Sequence, residues 1–337
     1  MANLEIKKLP ESEIEITGEI EADIFESFRS EAVKEMSAEI KIDGFRPGNA
    51  PEKVLIEKVG EGVVLETMAE IALQKEYAKI LEENKIFAIG RPQITITKIA
   101  KNNPLGFKIK TAVVPEINLP DYKKIASGIK EERKELSVNE KEAEDTINHL
   151  RKMRAKKEGE TEVLPEMNDE FAQSVGKFEN LQALKDAIKT NMTEEKKMKA
   201  KEKRRMEILN KISELTKTEI PKILVESEKN KMAEEMKQNV AQMGLKWEDY
   251  LGHLKKTEEE IKNSWEKEAE KRIKSGMILG EIAKLEKMEV PEEELKSEVE
   301  KITEYYKNSG GIDEGRVRDY AYGILMNEKV FNFLEQC

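Results

Sequence analysis

The chain has 337 residues, a formal charge of −10, 38% charged residues and only 5% aromatic ones. It is long enough for two or three domains and too heavily solvated for a compact β-barrel. The acidic balance excludes wholesale nucleic-acid binding, which leaves a basic footprint; residues 1–118 alone carry 16 Lys and Arg against 21 Asp and Glu, so any contact with RNA is local.

Two strand-like runs open the chain, Asn3 to Leu9 and Ser12 to Ile20, the second with Ile14, Ile16 and Ile20 in alternation. Asp23 to about Ile42 reads as one helix with Ile24, Phe25, Phe28, Val33 and Met36 on its buried side. A Gly- and Pro-rich loop follows. Pro51 suits the first position of a short helix ending near Gly60, and a longer helix from Gly62 places Val64, Met68, Ile71 and Ala72 at helical spacing. "RPQITITKIA" and "GFKIKTAVV" are two further strands of period two. Residues 1–114 are thus expected to form an α+β domain, with helix–loop–helix inserted between strand pairs.

Residues 115–130, with Pro115 and Pro120, read as an extended linker. From Glu131 the strand signal disappears, and 131–337 is expected to be an all-α, arm-bearing domain in an elongated, multidomain protein. Its helices are expected at "VNEKEAEDTINHLRKMRAKK", Asn168–Gly176, Leu181 to about Thr216, Pro221–Met243, Lys246 to about Met288, Pro291–Asn308 and Glu314–Gln336. Pro221 and Pro291 sit where a helix starts, Gly244 and Gly310 where one stops.

Catalytic and cofactor signatures are missing. His149 and His253 lie far apart with no cysteine near either, there is no G-x-x-x-x-G-K-[ST] loop, and acidic pairs such as Glu82-Glu83 fall in charge-rich helices. No enzyme activity, metal or cofactor is expected. Cys337 is the single cysteine, which suits a reducing compartment. The N-terminus lacks an apolar signal core, and no stretch approaches the ~18–20 apolar residues of a membrane span. A cytoplasmic protein without a membrane partner is expected.

The loop "GFRPGNAP" sets an aromatic ring and a guanidinium side by side, framed by Gly44, Pro47, Gly48 and Pro51. Gly44 and Gly48 admit conformations other residues avoid, and the prolines freeze the rest, so Phe45 and Arg46 are offered on a preorganised tip. The alternative is that Phe45 tucks under its own helices. The loop resembles the ribosome-binding signature of the trigger factor family, Gly-Phe-Arg-x-Gly-x-x-Pro, which Gly44, Phe45, Arg46, Gly48 and Pro51 match at every fixed position. "IPKILVESEKNKM" is similar to that family's helix entry, and "EYYKNSGG…VRDYAYGILMNEKVFNFL" to its C-terminal helical hairpin.

The resemblance implies an ATP-independent chaperone. It would dock on the large ribosomal subunit near the exit tunnel, on protein and rRNA, through Gly44, Phe45, Arg46, Pro47, Gly48 and Pro51. Its clients would be nascent and unfolded polypeptides, with roles in folding and protein transport, and a weak homodimer would form when free. There are two departures. Pro47 and Asn49 stand where the family often has Lys, and Arg154 reaches Leu164 through nine residues, too few for the family's FKBP-like prolyl-isomerase domain. The competing readings are a holdase or assembly chaperone that does not use the ribosome, and a helical scaffold. Eleven of the 14 methionines fall after residue 150, residues suited to surfaces that accept many partners, although Met232, Met236 and Met243 also fit arm packing.

Overall fold

The computed structural model describes residues 2–42, 45–46, 48–49, 51–130, 137–158, 161–305 and 313–337. They fall into two compact units, each discontinuous along the chain: Met1–Asn118 with Lys217–Met277, and Leu119–Thr216 with Ile278–Cys337.

The first unit opens with a hairpin of β1 (Ala2–Leu9) and β2 (Glu13–Ile20), turned by Glu11 and Ser12 at left-handed φ of 62° and 51°. Helices α1 (Ala22–Ser27), α2 (Arg29–Glu39), α3 (Glu52–Val59) and α4 (Glu61–Glu83) follow, then β3 (Ala88–Lys98) and β4 (Leu105–Val113). The strands form one antiparallel sheet in the order β1-β2-β4-β3. The helix expected over Asp23–Ile42 is broken: the chain turns at Phe28, and Arg29 opens the second segment.

Period-two burial along β2 and β4 places Ile14, Ile16, Ile20, Leu105, Phe107 and Ile109 against Phe25, Met36, Leu55 and the Val64, Met68, Ile71, Ala72 stripe of α4. The register shows how far this cover extends. Ile6, Ile16, Ile109 and Ile94 are successive partners across all four strands, so they share one face. Ile16 and Ile109 are fully buried, whereas Ile6 is 37% and Ile94 45% exposed. The helices cover the two central strands and leave both margins of the same face open.

The chain then enters the second unit through α5 (Tyr122–Gly128), α6 (Glu140–Met153), β5 (Lys156–Glu158), β6 (Thr161–Val163), α7 (Asp169–Val175) and α8 (Leu181–Leu215). Two expectations are corrected here. The extended linker contains α5, whose N-terminal N–H of Lys124 is accepted by the Asp121 side chain. The half expected to lack strands contains the β5–β6 antiparallel pair, in the stretch where the family's inserted domain would stand.

At Lys217 the chain returns to the first unit with α9 (Lys222–Gln242), α10 (Trp247–Leu254), α11 (Glu258–Ser264) and the start of α12 (Glu266–Leu285). The single helix expected from Lys246 to Met288 is therefore three. Lys255 takes a left-handed φ of 51°, and Thr257 and Glu260 then cap each other's backbone N–H to restart the helix. Val225, Met232 and Ala269 form the small core of this helical layer.

The second unit closes with the end of α12, α13 (Glu292–Tyr305) and α14 (Glu314–Gln336). Its main core joins Ala126, Ile208, Ile212, Ile278, Ile282 and Leu334. Among the described residues no helix is long and apolar enough to cross a membrane.

Candidate functional site

The loop between α2 and α3 is anchored at its base and open at its tip. Ile42 and Leu55, on either side, are planted in the core of the sheet domain. Among the described residues, three backbone hydrogen bonds shape what lies between. The N–H of Phe45 donates to the carbonyl of Ile42 (3.1 Å), that of Gly48 to Ser37 (2.7 Å), and that of Asn49 to Arg46 (3.0 Å). Gly48 has φ +85°, where a β-carbon is strained. Pro51 is the N-cap of α3 rather than its first helical residue, and its carbonyl accepts from the N–H of Leu55 at 3.1 Å. Phe45 is 41% exposed and Arg46 is exposed, its side chain making no hydrogen bond or ion pair among the described residues. Gly44, a fixed position of the signature, and Pro47, also expected to take part in docking, lie outside the described residues.

At the far end of the loop is a charge cluster that sequence reading missed. Arg29, its side chain only 12% exposed, donates from Nε to Oε1 of Glu52 (2.6 Å) and from Nη2 to Oε1 of Glu61 (2.7 Å), with Glu26 at 3.6 Å. Glu52 is the residue next to Pro51, so Arg29 ties the far end of the loop to α2 and α4. Burial pulls the guanidinium pKa down, but the hydrogen bonds and charges of Glu52 and Glu61 outweigh it and raise it overall. Burial likewise pushes Glu61 up, and Arg29 with Lys101 hold it below the ordinary carboxylate value. No local motif announces this cluster, because its members are 23 and 32 residues from Arg29. On the adjoining side, Lys58 Nζ donates to the carbonyl of Lys41, while the Lys41 and Lys53 side chains are exposed.

The methionines divide between core and surface. Met232 is buried in the helical layer of the first unit, whereas Met243 at the end of α9 is 71% exposed. In the second unit Met153 is 70% exposed, and Met198 and Met206 are exposed along α8. Beside Met243, α10 buries none of its residues. Its Trp247 stacks on Tyr250, lies under Lys237, and donates from Nε1 to Glu258 (3.1 Å). Among the described residues no group of His, Cys, Asp or Glu could hold a metal ion.

Two family models match this sequence: the bacterial trigger factor protein over residues 2–150, and the bacterial trigger factor protein C-terminus over 180–334. The chain belongs to the trigger factor family. Trigger factor of Caldicellulosiruptor bescii is 26% identical over 404 positions, covering 93% of this chain and 91% of that protein. The trigger factor of Clostridium botulinum is 24% identical over 421 positions, covering 98% of each. Both alignments are longer than this chain, so stretches of the relatives stand opposite gaps. A solved structure reported under promiscuous substrate recognition in folding and assembly activities of the trigger factor chaperone has the same fold, with TM-score 0.59 at 20% identity. The match covers 98% of this chain and 99% of that one. The 15 residues between α6 and α7 hold the β5–β6 pair and are too few for the FKBP-like domain that the resemblance implies for most of the family.

Proposed function

We propose that this protein is an ATP-independent, cytoplasmic chaperone that docks on the large ribosomal subunit near the exit tunnel and shields nascent and unfolded chains, aiding folding and export. Residues 1–114 would be the ribosome-binding domain and the helical remainder the client-binding part. The observation that carries this reading is the exposed Phe45–Arg46 pair on a loop pinned at Ser37, Pro51 and Leu55. A pinned loop loses little entropy on docking. With 41% of Phe45 exposed, roughly 80 Å² of ring is left to bury, about 2 kcal/mol. A charge-assisted bond from Arg46 adds ~1.5–3 kcal/mol. Micromolar affinity needs about 8 kcal/mol, so Lys41 and Lys53 on rRNA phosphate are asked for the rest.

Co-sedimentation with bacterial ribosomes tests the proposal. Phe45→Ala with Arg46→Ala should abolish it while leaving the melting temperature unchanged. If that variant still pellets with ribosomes, the anchor lies elsewhere. If the unaltered protein does not pellet but still suppresses aggregation, the reading as a free holdase takes its place; the exposed Met153, Met198, Met206 and Met243 favour client binding in either case.

A further inference from the structure

The order β1-β2-β4-β3 leaves β3 with one neighbour. In such a strand alternate residues direct their N–H and C=O outward, where only water or another extended backbone can pair with them. Most edges are defended by charge, and β1 is an example, with Glu5, Lys7 and Lys8 along it. The stretch Gln93-Ile-Thr-Ile-Thr97 of β3 has no charge, no proline and strong β-propensity. Every residue of it is exposed, and its register with β4 is regular from Gln93 to Ile96. Ile94 and Ile96 belong to the apolar face of the sheet, yet stand 45% and 37% open because the helices stop short of this margin.

We propose that this edge is a backbone-recognition site, taking an extended segment of an unfolded chain as a fifth strand. The inference rests on the chaperone reading above and says how one class of client is held. The ladder would satisfy main-chain groups whatever the client's sequence, and alternate apolar side chains of the incoming strand would complete the row Ile6–Ile16–Ile109–Ile94 at its open end. Exposed Arg91 and Lys98 bracket the uncharged stretch, so segments with carboxylates just outside the apolar run fit best. The same charges disfavour a second copy of this chain. Two β3 strands paired antiparallel about Thr95 would bring Lys98 of each beside Pro92 and Arg91 of the other, setting cations together at both ends.

Amide hydrogen exchange on the full chain tests this, with reduced and carboxymethylated ribonuclease as the permanently unfolded client and fluorescence anisotropy to record its binding. Saturating client should slow exchange over 93–98 several-fold and leave β1 unchanged. Gln93→Lys with Thr95→Lys, both at exposed positions, should remove that protection and weaken client binding about fivefold at an unchanged melting temperature. Should that variant fold poorly, exchange in the unaltered protein still decides. Client bound with no change over 93–98 overturns the edge site and leaves the chaperone reading standing. No client bound overturns both. Protection that rises with protein concentration in the absence of client assigns the edge to a second copy and overturns the proposal.

Discussion

In the proposed docking Phe45 and Arg46 supply the contacts, and Arg29 ties the far end of their loop to α2 and α4. Arg29→Met would leave Glu26, Glu52 and Glu61 together without the cation they share, with only Lys101 still at Glu61, and is expected to cost about 1–3 kcal/mol in unfolding experiments. It should also weaken ribosome co-sedimentation with Phe45 and Arg46 intact, whereas Lys8→Met, which removes an exposed pair with Glu116, should change neither. The acid limb gives a second measurement. Glu61 is held below its ordinary value in the folded protein, so its contribution is present above the unfolded carboxylate range and lost as pH falls through the depressed folded value. Stability of Arg29→Met should therefore fall less steeply in acid than that of the unaltered protein.

At the scale of elements, α10 and α11 depend on Glu258. Hydrogen bonds from Lys262 and Lys237 outweigh burial, and with Trp247 they bring its pKa down to about 2. The unfolded value is about 4.3, so stabilisation from this cluster is complete above that pH and disappears between roughly 4 and 2. Trp247 fluorescence should change across that window before the bulk of the helical signal does, and Glu258→Gln should abolish the step. The loop between α2 and α3 makes a different expectation. With Lys41, Lys53 and Arg46 as its exposed cations, the slope of log affinity against log salt should be shallow, about −2 to −3. A slope much steeper than this, in binding titrations at several salt concentrations, would mean that a further basic surface takes part.

The whole molecule is expected to hold clients without nucleotide and without catalysis. The full chain should suppress aggregation of a denatured test protein at several-fold excess, unchanged by added ATP. Moderate salt should leave suppression in place, because apolar burial is not screened as ion pairs are. No acceleration of prolyl cis/trans exchange in a short peptide is expected at catalytic protein concentrations. The barrier is ~18–20 kcal/mol, and the 15 residues between α6 and α7 are too few for the isomerase domain that the resemblance would place there. Each compact unit is assembled from two chain segments, with crossings after Asn118, Thr216 and Met277. Chain cut at a single one of these points leaves a unit incomplete, so suppression is best measured on the intact protein.

By itself the sequence determined what local chemistry can determine. Period-two isoleucines specified β2, the stripe Val64–Met68–Ile71–Ala72 specified α4, and "GFRPGNAP" marked a loop that both its residue types and its resemblance pointed to. It could also have yielded the break at Lys255, since Thr257 and Glu260 have the spacing of a capping box. Four things waited for the tertiary structure. Arg29 becomes a clamp only when α2, α3 and α4 are packed, and residues 217–277 join the first unit through contacts distant in sequence. The β5–β6 pair is too short for periodicity to register. The open margin of the sheet depends on where the helices end, which no single strand encodes. Ile109 and Ile94 look alike in sequence and pair in the sheet, yet one is sealed and the other half open. Burial is a property of the neighbours that arrive, and those are chosen by packing.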